Sequence, residues 1–306
     1  MSNYNLDILT VLYNQKGLDL FHKNSPTWAQ NIPLKVRFLI ACPPDMRKDI
    51  NVPDDCEIKF FDFKRPDPKP WGDNCSLQHA HNLHQMLGSV EASHFLTVDA
   101  DVQFRGSWNQ NDFEELVNKY DVFGFPYHKT RGIPPAAPPY KTFPFISCIF
   151  FKSDVFFDYC KNAKVCDDKY YWVFSPEAEN TGFEDLAIFQ NKDYYKYFQE
   201  EQARQNYSER DTGWLLAIIF KDLVKEGKVF LVPQVDETAL FDIDYVHKSI
   251  CIRHELHGTF LESKEYEEVM MSTEKDIPHN IYWYIKGNSK DQIKERIGLR
   301  DKTKTS

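Results

Sequence analysis

The 306-residue chain has no CxxC pair. Its seven cysteines, at 42, 56, 75, 148, 160, 166 and 251, are odd in number and scattered. That excludes a zinc ribbon and a thioredoxin-like motif and leaves a reduced protein as the expectation. Cys148 and Cys251 fall inside apolar runs, where a small hydrophobe fits. The opening MSNYNLDILTVLYNQ lacks a basic stretch followed by an apolar one, so it does not read as a secretory signal. The longest apolar runs, FPFISCIFF (143–151) and WLLAIIF (214–220), are too short to span a bilayer. The expected location is therefore the cytoplasm. No repeat of 20–50 residues is present. Positive charge is also short: 37 Lys and Arg face 46 Asp and Glu, for a net charge of −9. Bulk nucleic-acid binding needs a positive surface and is disfavoured, although a local basic patch is not excluded.

What the chain does have is apolar and aromatic material. Hydrophobic residues are 42%, enough for a large core, and 24 Phe, 16 Tyr and 6 Trp make 15% aromatic. Such rings either stack on flat ligands or fill the core. Strand signals fall at 7–13, 34–41, 57–63, 94–102, 121–127, 145–152, 228–233 and 249–254. Helical patterns fall at about 16–31 and at 74–88, the latter ending at Gly88, and again at 184–200 and 212–226. The alternation predicts an α/β fold with a mixed, mainly parallel sheet flanked by helices. Its ligands would sit at the carboxyl ends of the strands. Residues 131–144 contain five prolines and read as a long surface loop, either a lid or a rigid connector. Residues 1–260 read as one domain. Residues 261–306 read as a C-terminal extension, partly flexible, whose stretch 286–306 holds seven Lys and Arg against three Asp and Glu.

The sharpest local signal is Asp99-Ala100-Asp101. The apolar strand HFLTV delivers two carboxylates at i and i+2, which a straight strand would point to one face. Close carboxylates repel unless a cation lies between them, and an all-oxygen site suits Mg²⁺ or Mn²⁺. The bland alternative is a turn or capping pair. The segment HAHNLH (79–84) is not expected to bind metal, because His79 and His81 diverge on a helix.

With this acidic pair go three further segments: TVLYN (10–14), GFEDL (182–186) and ICIRHELHGT (250–259). RDTGW (210–214) can be added to them. In this order, over residues 6–260, they resemble the GT-A-fold (Rossmann-like) nucleotide-sugar glycosyltransferases, close to family-2-type bacterial and phage enzymes. The resemblance implies metal-dependent, inverting transfer of a hexosyl or pentosyl group from a UDP-sugar or other nucleotide-sugar donor to an acceptor hydroxyl. It implies donor contacts from Thr10, Leu12, Tyr13, Asn14, Asp73, Asn82, Asp99, Ala100, Asp101 and Asp211. It implies a metal held by Asp101, Asp99 and His254, with His257 as runner-up because HELH on a helix would place both histidines on one face. An imidazole ligand favours Mn²⁺ over Mg²⁺. Asp185 would be the general base and Glu184 an acceptor contact. A helix start favoured by acidic residues is the alternative for that pair, and a helix cap is the alternative for Asp211. The chain departs from the family at ACPPD (41–45), where Asp45 stands in for the usual strand-end Asp. The acceptor could be a glycan, a lipid-linked sugar or a modified DNA base, in a bacterium or a phage-infected cell. Two other functions compete with this one. A nucleotidyltransferase would need a Gly-rich phosphate loop, which VLYNQKG (11–17) lacks. A non-catalytic sugar- or protein-binding module would not need the acidic pairs and His254 to converge.

Overall fold

The computed structural model describes residues 5–63, 75–126, 143–162, 212–213, 216–235 and 243–255. The chain opens with β1 (Leu6–Val11), every residue of which is buried. Helix α1 (Gln15–Asn31) follows, capped by Asn14, whose side chain accepts from the Gly17 N–H at 3.0 Å. That cap satisfies one of the amide donors a helix start leaves over. The helix buries Leu18, Phe21, Asn24, Ser25 and Trp28 at spacings of three and one, which form one stripe. Strand β2 (Val36–Cys42) is again wholly buried, and β3 (Glu57–Asp62) alternates as an edge strand does. Next come α2 (Cys75–Leu87), β4 (His94–Val98), β5 (Val102–Arg105) and α3 (Gln110–Lys119). Strands β6 (Val122–Pro126) and β7 (Pro144–Lys152) lead into α4 (Ser153–Asn162). Two short helices, α5 (Leu216–Ile219) and α6 (Lys221–Lys225), precede β8 (Val229–Leu231), β9 (Ile243–His247) and β10 (Ile250–His254).

A seven-stranded sheet has the order β3-β2-β1-β4-β7-β6-β8, and a second sheet has the order β5-β10-β9. In the large sheet β3, β2, β1 and β4 are mutually parallel, β7 is antiparallel to both β4 and β6, and β6 is parallel to β8. The expected α/β architecture with a mixed, mainly parallel sheet is present. From β1 the chain moves outward to β2 and β3, then returns to place β4 on the other side of β1. Such a reversal opens a crevice at the carboxyl ends of β1 and β4.

A buried ion pair fixes the opposite end. Asp7 on β1 accepts from Arg37 Nε at 2.8 Å and Nη2 at 2.9 Å. Its Oδ2 also accepts from the amides of Glu91 and Ala92 at 2.8 and 3.0 Å. Arg37 sits beside Asp7 in the β1–β2 register, so one carboxylate ties two strands to the turn that leads into β4.

Several predicted boundaries shift. The run 94–102 is two strands in two sheets, not one. The helix expected over 212–226 is broken at Phe220 and starts at Leu216. Helices α3 and α4 and strand β9 are additional to the expected elements. Among the described residues the rings are core: Phe123 and Phe150 stack at 4.4 Å and Phe125 and Tyr245 at 4.4 Å. Tyr13, 36% exposed, is the aromatic that faces solvent. The segments 127–142, 184–200 and 256–306 lie outside the described residues, as does most of the proline-rich stretch.

Candidate functional site

Strand β4 leaves the large sheet at Asp99. The Asp99 N–H still donates to Ser147 O on β7 at 3.0 Å, but the Asp99 carbonyl then accepts from Val102 N at 3.1 Å and closes a four-residue turn. Val102 begins β5, which pairs with β10 in the second sheet. The expectation of a straight strand with both carboxylates on one face is therefore corrected. The chain must turn here because its next partner lies in another sheet, and the turn sends the two side chains to different surroundings. Asp99 keeps 29% of its side chain exposed, whereas Asp101 keeps 2%.

Each carboxylate meets an imidazole. Asp99 Oδ1 lies 3.5 Å from His79 Nε2 on α2, and its Oδ2 accepts from the Ser147 hydroxyl at 2.6 Å. Asp101 Oδ1 lies 3.5 Å from His254 Nε2. His254 is the last residue of β10 and pairs in register with Val102, so the β5–β10 ladder brings it to the turn. His254 ends the strand expected over 249–254, and His257 lies outside the described residues. The His254 ring packs on Phe125 at 5.2 Å.

Helix α1 grips the turn from below. Asn24 Nδ2 donates to Ala100 O at 2.8 Å, Trp28 Nε1 to Val102 O at 2.7 Å and Asn31 Nδ2 to Phe104 O at 2.9 Å. The Glu255 N–H donates to Asp101 O at 2.9 Å, and the Glu255 carboxylate pairs with Lys23 of α1 at 2.7 Å. One helix thus holds the acidic turn and the end of β10 together. Nothing in the sequence marks Asn24 or Lys23 for this role, since both read as ordinary polar positions of an amphipathic helix.

The other expected donor contacts divide. Tyr13 follows β1 at the crevice, its ring edge-on to Phe63 at 5.2 Å and near His79 at 6.2 Å. Asn14 serves as the α1 cap. Thr10 and Leu12 are buried in and just after β1, and Leu12 donates its N–H to Ala41 O at 2.9 Å. Asn82 is buried on α2, donating to Gln78 O at 2.7 Å and accepting from Gln85 at 2.8 Å. Asp45 lies exposed in a 3₁₀ turn, Pro44–Asp49. Asp73, Glu184, Asp185 and Asp211 fall outside the described residues. His79 was set aside in the sequence because it cannot share an ion with His81. Its link to Asp99 depends on α2 packing over β1, a contact between distant segments.

The donor set of two carboxylates and an imidazole suits Mn²⁺ or Mg²⁺ in type. Two ligands about 2.0–2.2 Å from one ion stand about 3–3.5 Å apart, and the Asp101–His254 spacing lies in that range. Among the described residues no group of three or more His, Cys, Asp and Glu is arranged to hold a metal. Cys148, beside the site, is no nucleophile: burial first, and then the Asp99 charge, push its thiol well above the ordinary value. Cys42, Cys56, Cys148, Cys160 and Cys251 are free thiols. Among the described residues no helix is long and apolar enough to cross a membrane. No family model and no curated protein sequence matches this chain.

Proposed function

We propose that the chain is a metal-dependent glycosyltransferase that moves a sugar from a nucleotide-sugar donor, a UDP-sugar first, to an acceptor hydroxyl. The observation that supports this is the acidic turn Asp99-Ala100-Asp101 at the carboxyl end of β4, where the sheet reverses beside β1 and β10 delivers His254 to Asp101. That edge is where parallel α/β sheets bind nucleotides. Asp101 and His254, whose buried donor atoms lie 3.5 Å apart, would hold Mn²⁺ or Mg²⁺, which would act as a Lewis acid on the charge that develops on a departing diphosphate. Tyr13 presents its ring to a flat base. Asp185 would take the proton of the acceptor hydroxyl, with Glu184 orienting the acceptor. The acceptor classes remain a glycan, a lipid-linked sugar or a modified DNA base.

The test is hydrolysis of a panel of nucleotide sugars with and without Mn²⁺. Metal-dependent release of the nucleoside diphosphate from one donor is expected, and silence across the panel would overturn the assignment. The burial of Asp101 against His254 favours a second reading, in which the pair only braces the turn of a non-catalytic binding module. That module would bind sugar or protein equally well with Asp101→Asn, provided the variant folds.

A further inference from the structure

We propose that His79 is a ligand-contacting residue of this site and that its pair with Asp99 faces a nucleoside diphosphate. The inference rests on the glycosyltransferase reading and adds to it a residue which that reading does not name. The acidic turn offers two carboxylate–imidazole pairs of equal spacing, 3.5 Å each, in opposite environments. The His254 and Asp101 side chains are 4% and 2% exposed, so a bulky ligand cannot reach between them without unpacking β10. His79 and Asp99 are 14% and 29% exposed, at the open carboxyl edge.

The open pair is also incompletely bonded. At 3.5 Å, the His79–Asp99 contact is longer than an ordinary N–H···O hydrogen bond of about 2.7–3.2 Å. Asp99 is held in place by Ser147 through its other oxygen, so Oδ1 keeps its aim when His79 turns to a new partner. His79 sits on α2, and its ring lies beside that of Tyr13. Within one corner the chain therefore presents an imidazole nitrogen for an anionic oxygen, a carboxylate oxygen for a hydroxyl or cation, and a solvent-facing ring for a flat base. A nucleoside diphosphate carries these three features on one molecule. A free sugar lacks the flat base and the anion, and inorganic phosphate lacks the base and the hydroxyls of ribose.

The experiment is UDP binding by calorimetry in the presence of Mn²⁺, with wild type, His79→Gln and His79→Phe. The Kd for UDP is expected to rise at least tenfold in both variants. The Kd for Mn²⁺ alone should stay within twofold. An unchanged UDP affinity in both folded variants would overturn the role of His79 and leave the glycosyltransferase reading standing. A wild type that binds no nucleoside diphosphate would overturn that reading and this inference with it. Should the variants fail to fold, the ¹⁵N imidazole resonances of wild type decide. His79 Nε2 must shift on UDP addition, and an unmoved resonance at saturating UDP would sink the proposal.

Discussion

Asp101 Oδ1 lies 3.5 Å from Nε2 of His254, with both side chains buried, because β5 and β10 are neighbours in the smaller sheet. Buried groups of this kind have little freedom to find other partners, so substitutions at either should be sharp in effect. Asp101→Asn and His254→Gln are each expected to lower metal-dependent hydrolysis of the donor by about 10²-fold or more. The check is the initial rate across a manganese titration. A rate within threefold of wild type at saturating metal would remove both residues from the proposed metal site.

Asp185→Asn is expected to abolish transfer to the acceptor, a loss of about 10²–10⁴-fold, while donor binding persists. Equilibrium binding of the nucleotide sugar and turnover with acceptor should be measured on the same preparation. Wild-type turnover in this variant would reassign the general base.

The Asp7–Arg37 pair makes a separate claim about stability. Removing one partner strands a buried charge, so Asp7→Ala should destabilise by about 3–5 kcal/mol in urea unfolding. It also strips acceptors from the Glu91 and Ala92 amides. The double substitution Asp7→Leu with Arg37→Met should recover a large share of that loss, since neither charge then remains buried. Additive losses in the double variant would contradict the pairing.

Gly124 on β6 stands where a Cβ would meet Cys148 O at 2.2 Å and Pro144 Cβ at 2.9 Å. The nearest atom is backbone of the paired strand and cannot step aside cheaply. Gly124→Ala should cost about 1–3 kcal/mol by chemical denaturation. A change below about 0.5 kcal/mol would mean that β6 and β7 lie farther apart than described.

His94 on β4 gives a pH signature. Burial first, and then the charge of Lys152, hold its imidazole below the ordinary 6.5, with Asp154 opposing. The unfolded chain therefore binds this proton more readily than the folded one. The stabilisation is present above 6.5 and is lost as pH falls through the folded value. Thermal melts between about pH 7 and 5 should show a shallower decline for His94→Gln than for wild type. Parallel curves would show that His94 does not contribute.

The sequence by itself determined the α/β class and the position of the acidic pair after an apolar strand. Period and composition are local properties: LDILTV and VRFLIAC, each apolar but for Asp7, Thr10 and Arg37, read as strands covered on both faces. The apolar run HFLTV ends where the charged Asp99 begins, at the carboxyl end of an inner strand. The helix 74–88 and the strand carrying His254 were legible for the same reason. Only the tertiary structure decided how the site divides. That HFLTVDADV splits between two sheets follows from β5 choosing β10, a partner far along the chain, and this pairing hides Asp101 while leaving Asp99 open. That His79 reaches Asp99, and that Asn24 and Lys23 hold the turn and its neighbour, depends on α1 and α2 docking over distant strands. Side-chain direction at a turn is set by what the next strand pairs with, and no local pattern of residues encodes that partner.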